Sequence, residues 1–151
     1  MNPIVEKVTQ AIIERSKPLR SQYLADMQQA ELKGPHRGSL SCGNLAHGFA
    51  ACQPQEKQKL KLMDEANIGI VSSYNDMLSA HKPYETYPDI IRSAVAEMGS
   101  VAQVAGAVPA MCDGVTQGQE GMELSLFSRD NIAQGAAIAL SHNMFDAALF
   151  L

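Results

Sequence analysis

The run VAGAVPAMCDGVTQGQEGM, residues 104–122, decides how this chain is read. It continues an apolar, strand-like segment over residues 101–108, then breaks into a loop holding Gly114, Gly118 and Gly121. Asp113 stands where the strand would end. Open α/β sheets bind ligands at the carboxyl ends of their strands. A carboxylate there, followed by a glycine-rich backbone and then a helix, suits a metal ion or an anion. Glycines that merely turn a surface loop explain the same letters, so the flanking chain must decide.

Working backwards, NIGIVSS (67–73) has the length and apolar content of a buried strand. It ends in YNDMLSAH (74–81), which crowds Asn75, Asp76, Ser79 and His81 at another strand end. Between the two strands, residues 83–98 predict a helix with Ile90, Ile91, Ala94, Val95 and Met98 facing the core and Gly99 as its stop. Working forwards, Ser128 is the expected cap of a helix carrying Ile132, Ala136, Ala139 and Leu140 inward. Asp146 then precedes a third apolar run, AALFL (147–151). The order β-α-β-α-β predicts an α/β fold with parallel strands and right-handed crossovers.

The amino-terminal part differs. Ile4, Val8, Ala11 and Ile12 share a helical face; Ser16 and Pro18 are expected to interrupt it, with a second helix carrying Leu19, Tyr23 and Met27. Such an arm needs a partner surface, on the body or on a second subunit. GPHRGSLSCGNLAHGFAAC (34–52) breaks the helix and mixes Arg37, Asn44 and His47 with small residues, as close approach to a ligand requires. An incidentally polar connector is the plainer alternative. Residues 54–66 predict a short charged helix with Pro54 in its first turn. The expected division is 1–66, arm and connector, and 67–151, the α/β part.

At 151 residues and 46% hydrophobic content, the chain can bury one real core. A net charge of −4 argues against a nucleic-acid-binding face but not against an anionic small molecule met by local cations such as Arg37, Lys82 or Arg129. No apolar run reaches the ~18 residues of a membrane span, and MNPIVEKVTQ lacks a signal-peptide pattern. Cys42, Cys52 and Cys112 are odd in number and without a CxxC pair, which suits a reducing cytoplasm.

The glycines form neither GxGxxG nor a P-loop, and the chain has no nucleophile elbow and no HExxH. CDGVTQGQEGMELSLFSRDNIA (112–133) instead resembles the DGI-x-MG-x-x-GM-x-YSL-x-SRE-x-IA signature of the dihydroxy-acid/6-phosphogluconate dehydratase family. RGSLSCGNLAHGFAA (37–51) and SSYNDMLSAHKPYETYP (72–88) resemble its phosphogluconate branch. The resemblance implies dehydration of 6-phospho-D-gluconate to 2-keto-3-deoxy-6-phosphogluconate in the Entner–Doudoroff route. It implies an iron–sulfur cluster, of 4Fe–4S type, that takes the leaving hydroxyl without redox, and Mg2+ or a similar cation held in part by Asp113. Some relatives carry a cluster cysteine in a PCN sequence where this chain has SAH (79–81), which points to the four-iron type.

The polar groups of the two segments read above, Arg37, Asn44, His47, Asn75, Asp76, Ser79 and His81, are the substrate-binding candidates. By the same resemblance, the cluster ligands and catalytic base are expected beyond Leu151, leaving these 151 residues inactive alone. The apolar run at the end of the chain adds to that expectation of a longer protein, a cytoplasmic homodimer acting on a phosphorylated sugar acid, with no nucleic-acid or membrane partner. Another sugar-acid or dihydroxy-acid dehydratase, or a non-catalytic α/β module binding a phosphorylated ligand, are the alternatives.

Overall fold

The computed structural model describes residues 2–151. The chain divides into two compact units, 1–34 and Pro35–Leu151. The first is one helix, α1 (Pro3–Glu31), started by Pro3 and by the Asn2 side chain, which accepts from the Ile4 N–H at 2.9 Å. The break expected at Ser16 and Pro18 does not occur. A proline at that point leaves the Glu14 carbonyl without its donor, at a typical cost of about 3 kcal/mol. No residue of α1 is buried, so water can serve that carbonyl and the turns on either side carry the helix through.

The second unit opens with a 3-10 turn (His36–Ser39), then α2 (Cys42–Gly48) and α3 (Pro54–Leu62). Ser41 caps α2, its Oγ accepting from the Asn44 N–H at 3.2 Å. The Glu56 carboxylate reaches back to the Gln53 N–H at 2.8 Å and fixes the start of α3. The segment expected to be a connector is therefore mostly helical. Three strands follow: β1 (Asn67–Ser72), β2 (Val101–Ala107) and β3 (Ala147–Phe150), in the order β2-β1-β3 and parallel throughout. Helix α4 (Tyr87–Glu97) joins β1 to β2; the short α5 (Asp113–Thr116) and long α6 (Ser125–Leu140) join β2 to β3. This is the predicted β-α-β-α-β order. As the central strand, β1 is buried at every position but Ile68, which is why it reads as a continuous apolar run and not an alternation.

Phe49, Leu60 and Val101 form a core cluster, with Leu45 and Cys52 packed against it. Burying each large side chain contributes about 1.5–3 kcal/mol. The inward stripe expected of α6 is present, with Ala139 buried and Ile132, Ala136 and Leu140 half-buried. Its expected cap is not: α6 begins at Ser125, and the Ser128 Oγ donates to the Ser125 carbonyl at 2.6 Å. A 3-10 turn (Glu120–Leu124) runs directly into the helix and moves its start upstream. Helix α4 packs on β2 through half-buried Ile91 and Val95, whereas Ile90, Ala94 and Met98 remain exposed. Among the described residues, no helix is long and apolar enough to cross a membrane.

Candidate active-site cleft

Parallel pairing sends all three strands out at one edge, and a cleft of about 310 Å³ opens there. The strand ends supply Val71, Ser73 and Phe150, the loop after β2 supplies residues 108–111, and Asp113 and Arg129 add opposite charges. Its size is at the lower end of small-ligand sites.

The loop after β1 supplies His81, the one substrate-binding candidate that lines this cleft. Asn75 fastens it: its Oδ1 accepts from the Met77 N–H at 2.7 Å, and its Nδ2 donates to the Ala110 carbonyl across the cleft loops at 3.3 Å. Asp76 points to solvent, accepting from Lys82 Nζ and the Tyr74 hydroxyl at 2.8 Å each. Lys82 also binds Glu85 at 2.7 Å. The hydrogen bond from Lys82 holds the Asp76 carboxyl below its usual range, and the bonds to Asp76 and Glu85 hold the Lys82 ammonium above its own. Ser79 is exposed and outside the cleft lining.

Asp113 is exposed at the first residue of α5, and its carboxylate has no partner among the described residues. A Mg2+-like ion takes one or two protein carboxylates and fills the rest of its shell with water and substrate. Asp113 fits one such position. The described residues do not fit an iron–sulfur cluster. They contain no group of three or more His, Cys, Asp or Glu side chains placed to share a metal. The three thiols are separate: Cys42 is exposed, Cys112 precedes α5, and Cys52 accepts from Gln103 Nε2 at 3.1 Å.

The remaining candidates lie elsewhere. Asn44 and His47, on α2, line a second cavity of about 710 Å³ with Gln103, His142 and Asn143. Arg37 is fully buried, which corrects its expected contact with substrate. Its Nε donates to the Leu60 carbonyl (3.0 Å), Nη2 to the Glu65 carbonyl (2.6 Å) and Nη1 to Asp146 Oδ2 (3.1 Å). Burial pulls its pKa down, and Asp146 pushes back. Asp146 also accepts from the His36 and Asn67 N–H groups, both at 2.8 Å. In the sequence Asp146 is marked only as the residue before the third apolar run, with no role; an acid set against a strand was the available signal.

Residues 65–151 match the family described as dihydroxy-acid/6-phosphogluconate dehydratase N-terminal. The chain is 66% identical over 151 residues to a phosphogluconate dehydratase of Escherichia coli (strain K12), covering 100% of this chain and 25% of that protein. It is 63% identical over 151 residues to that of Pseudomonas aeruginosa, with the same coverage of 100% and 25%. A dihydroxy-acid dehydratase of Lachnospira eligens is 38% identical over 84 residues, 56% of this chain and 15% of that protein. The chain thus spans about a quarter of the length of the phosphogluconate dehydratases it matches.

Proposed function

The chain belongs to the dihydroxy-acid/6-phosphogluconate dehydratase family, and on that premise we propose that it serves as the amino-terminal region of a 6-phosphogluconate dehydratase. One observation carries this choice of branch. Agreement with phosphogluconate dehydratases runs the whole length of the chain, while agreement with the dihydroxy-acid enzyme covers only part of it. Residues 67–151 are then the first part of the catalytic α/β domain, and 1–66 its arm and connector.

The reaction removes the proton α to the substrate carboxylate and then the β-hydroxyl, and the resulting enol tautomerises to the 2-keto acid. A carbon acid beside a carboxylate is weak and hydroxide leaves poorly, so the site must stabilise charge at both places. Asp113 would hold a divalent cation, which when bound acts as a Lewis acid on the substrate's acid end. Arg129, without an ion-pair partner among the described residues, supplies fixed positive charge for carboxylate or phosphate. Asn75 holds the two cleft loops together, and Asp76 and Ser79 form their outer rim. Asn44 and His47 would present polar groups to a ligand in the second cavity. No step is assigned to an iron–sulfur cluster, whose ligands these residues do not supply. The enzyme so read is a cytoplasmic homodimer.

The test uses the natural protein that carries this chain, purified anaerobically and assayed for 2-keto acid formation. Turnover of 6-phosphogluconate well above that of a branched-chain 2,3-dihydroxy acid is expected. The Asp113→Asn variant should lose about two orders of magnitude in kcat/KM, the range for lost electrostatic stabilisation at a reacting centre. Preference for the dihydroxy acid, or full activity without Asp113, overturns the reading.

A further inference from the structure

The cleft contains one imidazole, and its neighbours determine which ring nitrogen carries the proton. The Ser73 N–H and Oγ both donate to the Leu151 main-chain oxygen, at 2.8 and 2.6 Å. A hydroxyl has a single proton, so the Ser73 Oγ has none to offer His81. His81 Nδ1 lies 3.0 Å from that Oγ and 3.0 Å from the Ser73 carbonyl oxygen. Both can only accept, and Nδ1 must donate to them. In the neutral ring the proton is then on Nδ1 and the lone pair on Nε2. No described residue donates to Nε2.

Besides His81 and Ser73, four polar side chains line the cleft, and the Ser125 hydroxyl among them can both donate and accept. Asp113 is an anionic acceptor, Arg129 is a donor only, and the Ser128 proton goes to the Ser125 carbonyl. With the Nδ1 proton held by Ser73, Nε2 of the neutral ring is an acceptor that suits a hydroxyl donor and would meet a phosphate or carboxylate oxygen lone pair to lone pair. We propose that His81 Nε2 accepts a hydrogen bond from a substrate hydroxyl that is not eliminated, making His81 a specificity-determining residue for the polyhydroxy chain. The proposal rests on the reading of this cleft as a dehydratase site, and deepens it. It also directs the anionic groups of the substrate away from the β1 loop, toward Arg129 and the cation side.

Two measurements decide it. Imidazole 15N NMR on the histidine-labelled protein should show His81 in the Nδ1–H tautomer; the Nε2–H tautomer overturns the proposal and needs no substitution to be seen. In the complete enzyme, 6-phosphogluconate is compared with its 4-deoxy and 5-deoxy analogues, in the wild type and in His81→Asn. The asparagine amide retains a donor on the Nδ1 side and has nothing at Nε2. One deoxygenation should cost the wild type about tenfold in kcat/KM, the scale of one net hydrogen bond. That penalty should vanish in His81→Asn and partly return in His81→Gln. Equal penalties in wild type and variant sink the proposal while leaving the functional reading intact. A wild type that does not turn over 6-phosphogluconate removes both.

Discussion

Arg37 and Asp146 meet at 3.1 Å across 109 positions of sequence, and their contact closes the interior of the second unit. The guanidinium is fully buried and the carboxylate keeps 21% of its side-chain surface. Asp146 thereby ties the 3-10 turn at His36, the start of β1 and the entry to β3 into one hydrogen-bonded knot. Its removal leaves a buried positive charge unopposed and two main-chain donors unpaired. Asp146→Ala should cost about 3–5 kcal/mol, read as a lower urea midpoint. Because the guanidinium is fully buried, 0.5 M salt should change the wild-type midpoint little on the pair's account. A variant as stable as the wild type would show the knot to be ornamental.

Gly69 is buried at the centre of β1, and the Phe145 ring occupies the space where a side chain would stand. A Cβ added there would lie 2.9 Å from Phe145 Cγ and 3.1–3.2 Å from both Cδ atoms. The nearest atom is Cγ, next to the Phe145 backbone, so the ring has to shift as a whole to make room. Gly69→Ala should therefore lose about 1–3 kcal/mol by overpacking. Phe145→Leu in the same background should recover part of that loss, giving a non-additive double-mutant cycle in thermal or urea unfolding. Strict additivity would place the strain elsewhere.

The parts of the fold visible in the sequence are those set by local pattern. The run at 67–73 announces a strand because both faces of β1 are covered, and the stripe of Ile132, Ala136, Ala139 and Leu140 announces α6 because one face is. His81 and Asp113 line one cleft, as the strand-end rule expects, since parallel strands deliver their following loops to one edge. Long-range pairing had no such local mark. The Arg37 partners lie 23, 28 and 109 residues away, so a buried arginine and a ligand-binding one look identical in the sequence. Asn44 and His47 turn to another cavity because α2 packs there, again through contacts with distant segments such as Gln103. Pro18 misled for the opposite reason: the local rule counts the lost N–H as a break, and in the exposed α1 the turns on either side carry the helix through.

The three thiols should separate by reactivity. Cys42 is exposed, whereas burial, then the nearby Glu56 carboxylate, raises the Cys52 pKa above the ordinary 9.0. At pH 8, iodoacetamide followed by mass spectrometry should label Cys42 at least about tenfold faster than Cys52, since the thiolate is the nucleophile. The sign for stability follows. A folded pKa above the unfolded value gives a contribution that is full below the unfolded pKa and lost as pH rises through the folded one. Stability should therefore fall on the alkaline side of pH 9.0 in the wild type and fall less in Cys52→Ala. Faster labelling of Cys52 than of Cys42 contradicts this account.

Asn75 holds the mouth of the cleft with two bonds of unequal kind. Its Oδ1 shapes the loop after β1 through the Met77 N–H, and its Nδ2 reaches the Ala110 carbonyl in the loop after β2. Asn75→Asp retains the first acceptor and sets an anion against the Ala110 carbonyl; Asn75→Ala loses both bonds. Each net bond contributes about 0.5–1.5 kcal/mol, small against the buried strands beneath. The damage should therefore stay local. Hydrogen exchange should quicken in residues 74–78 and 108–112 in both variants, while β1 and β2 retain their protection. In the proposed dehydratase, this loosening should raise KM more than it lowers kcat, because the loops position substrate without touching the bonds that break. Loss of protection spreading into β1 would make Asn75 part of the core; unchanged exchange in both loops would mean that it does not tie them at all.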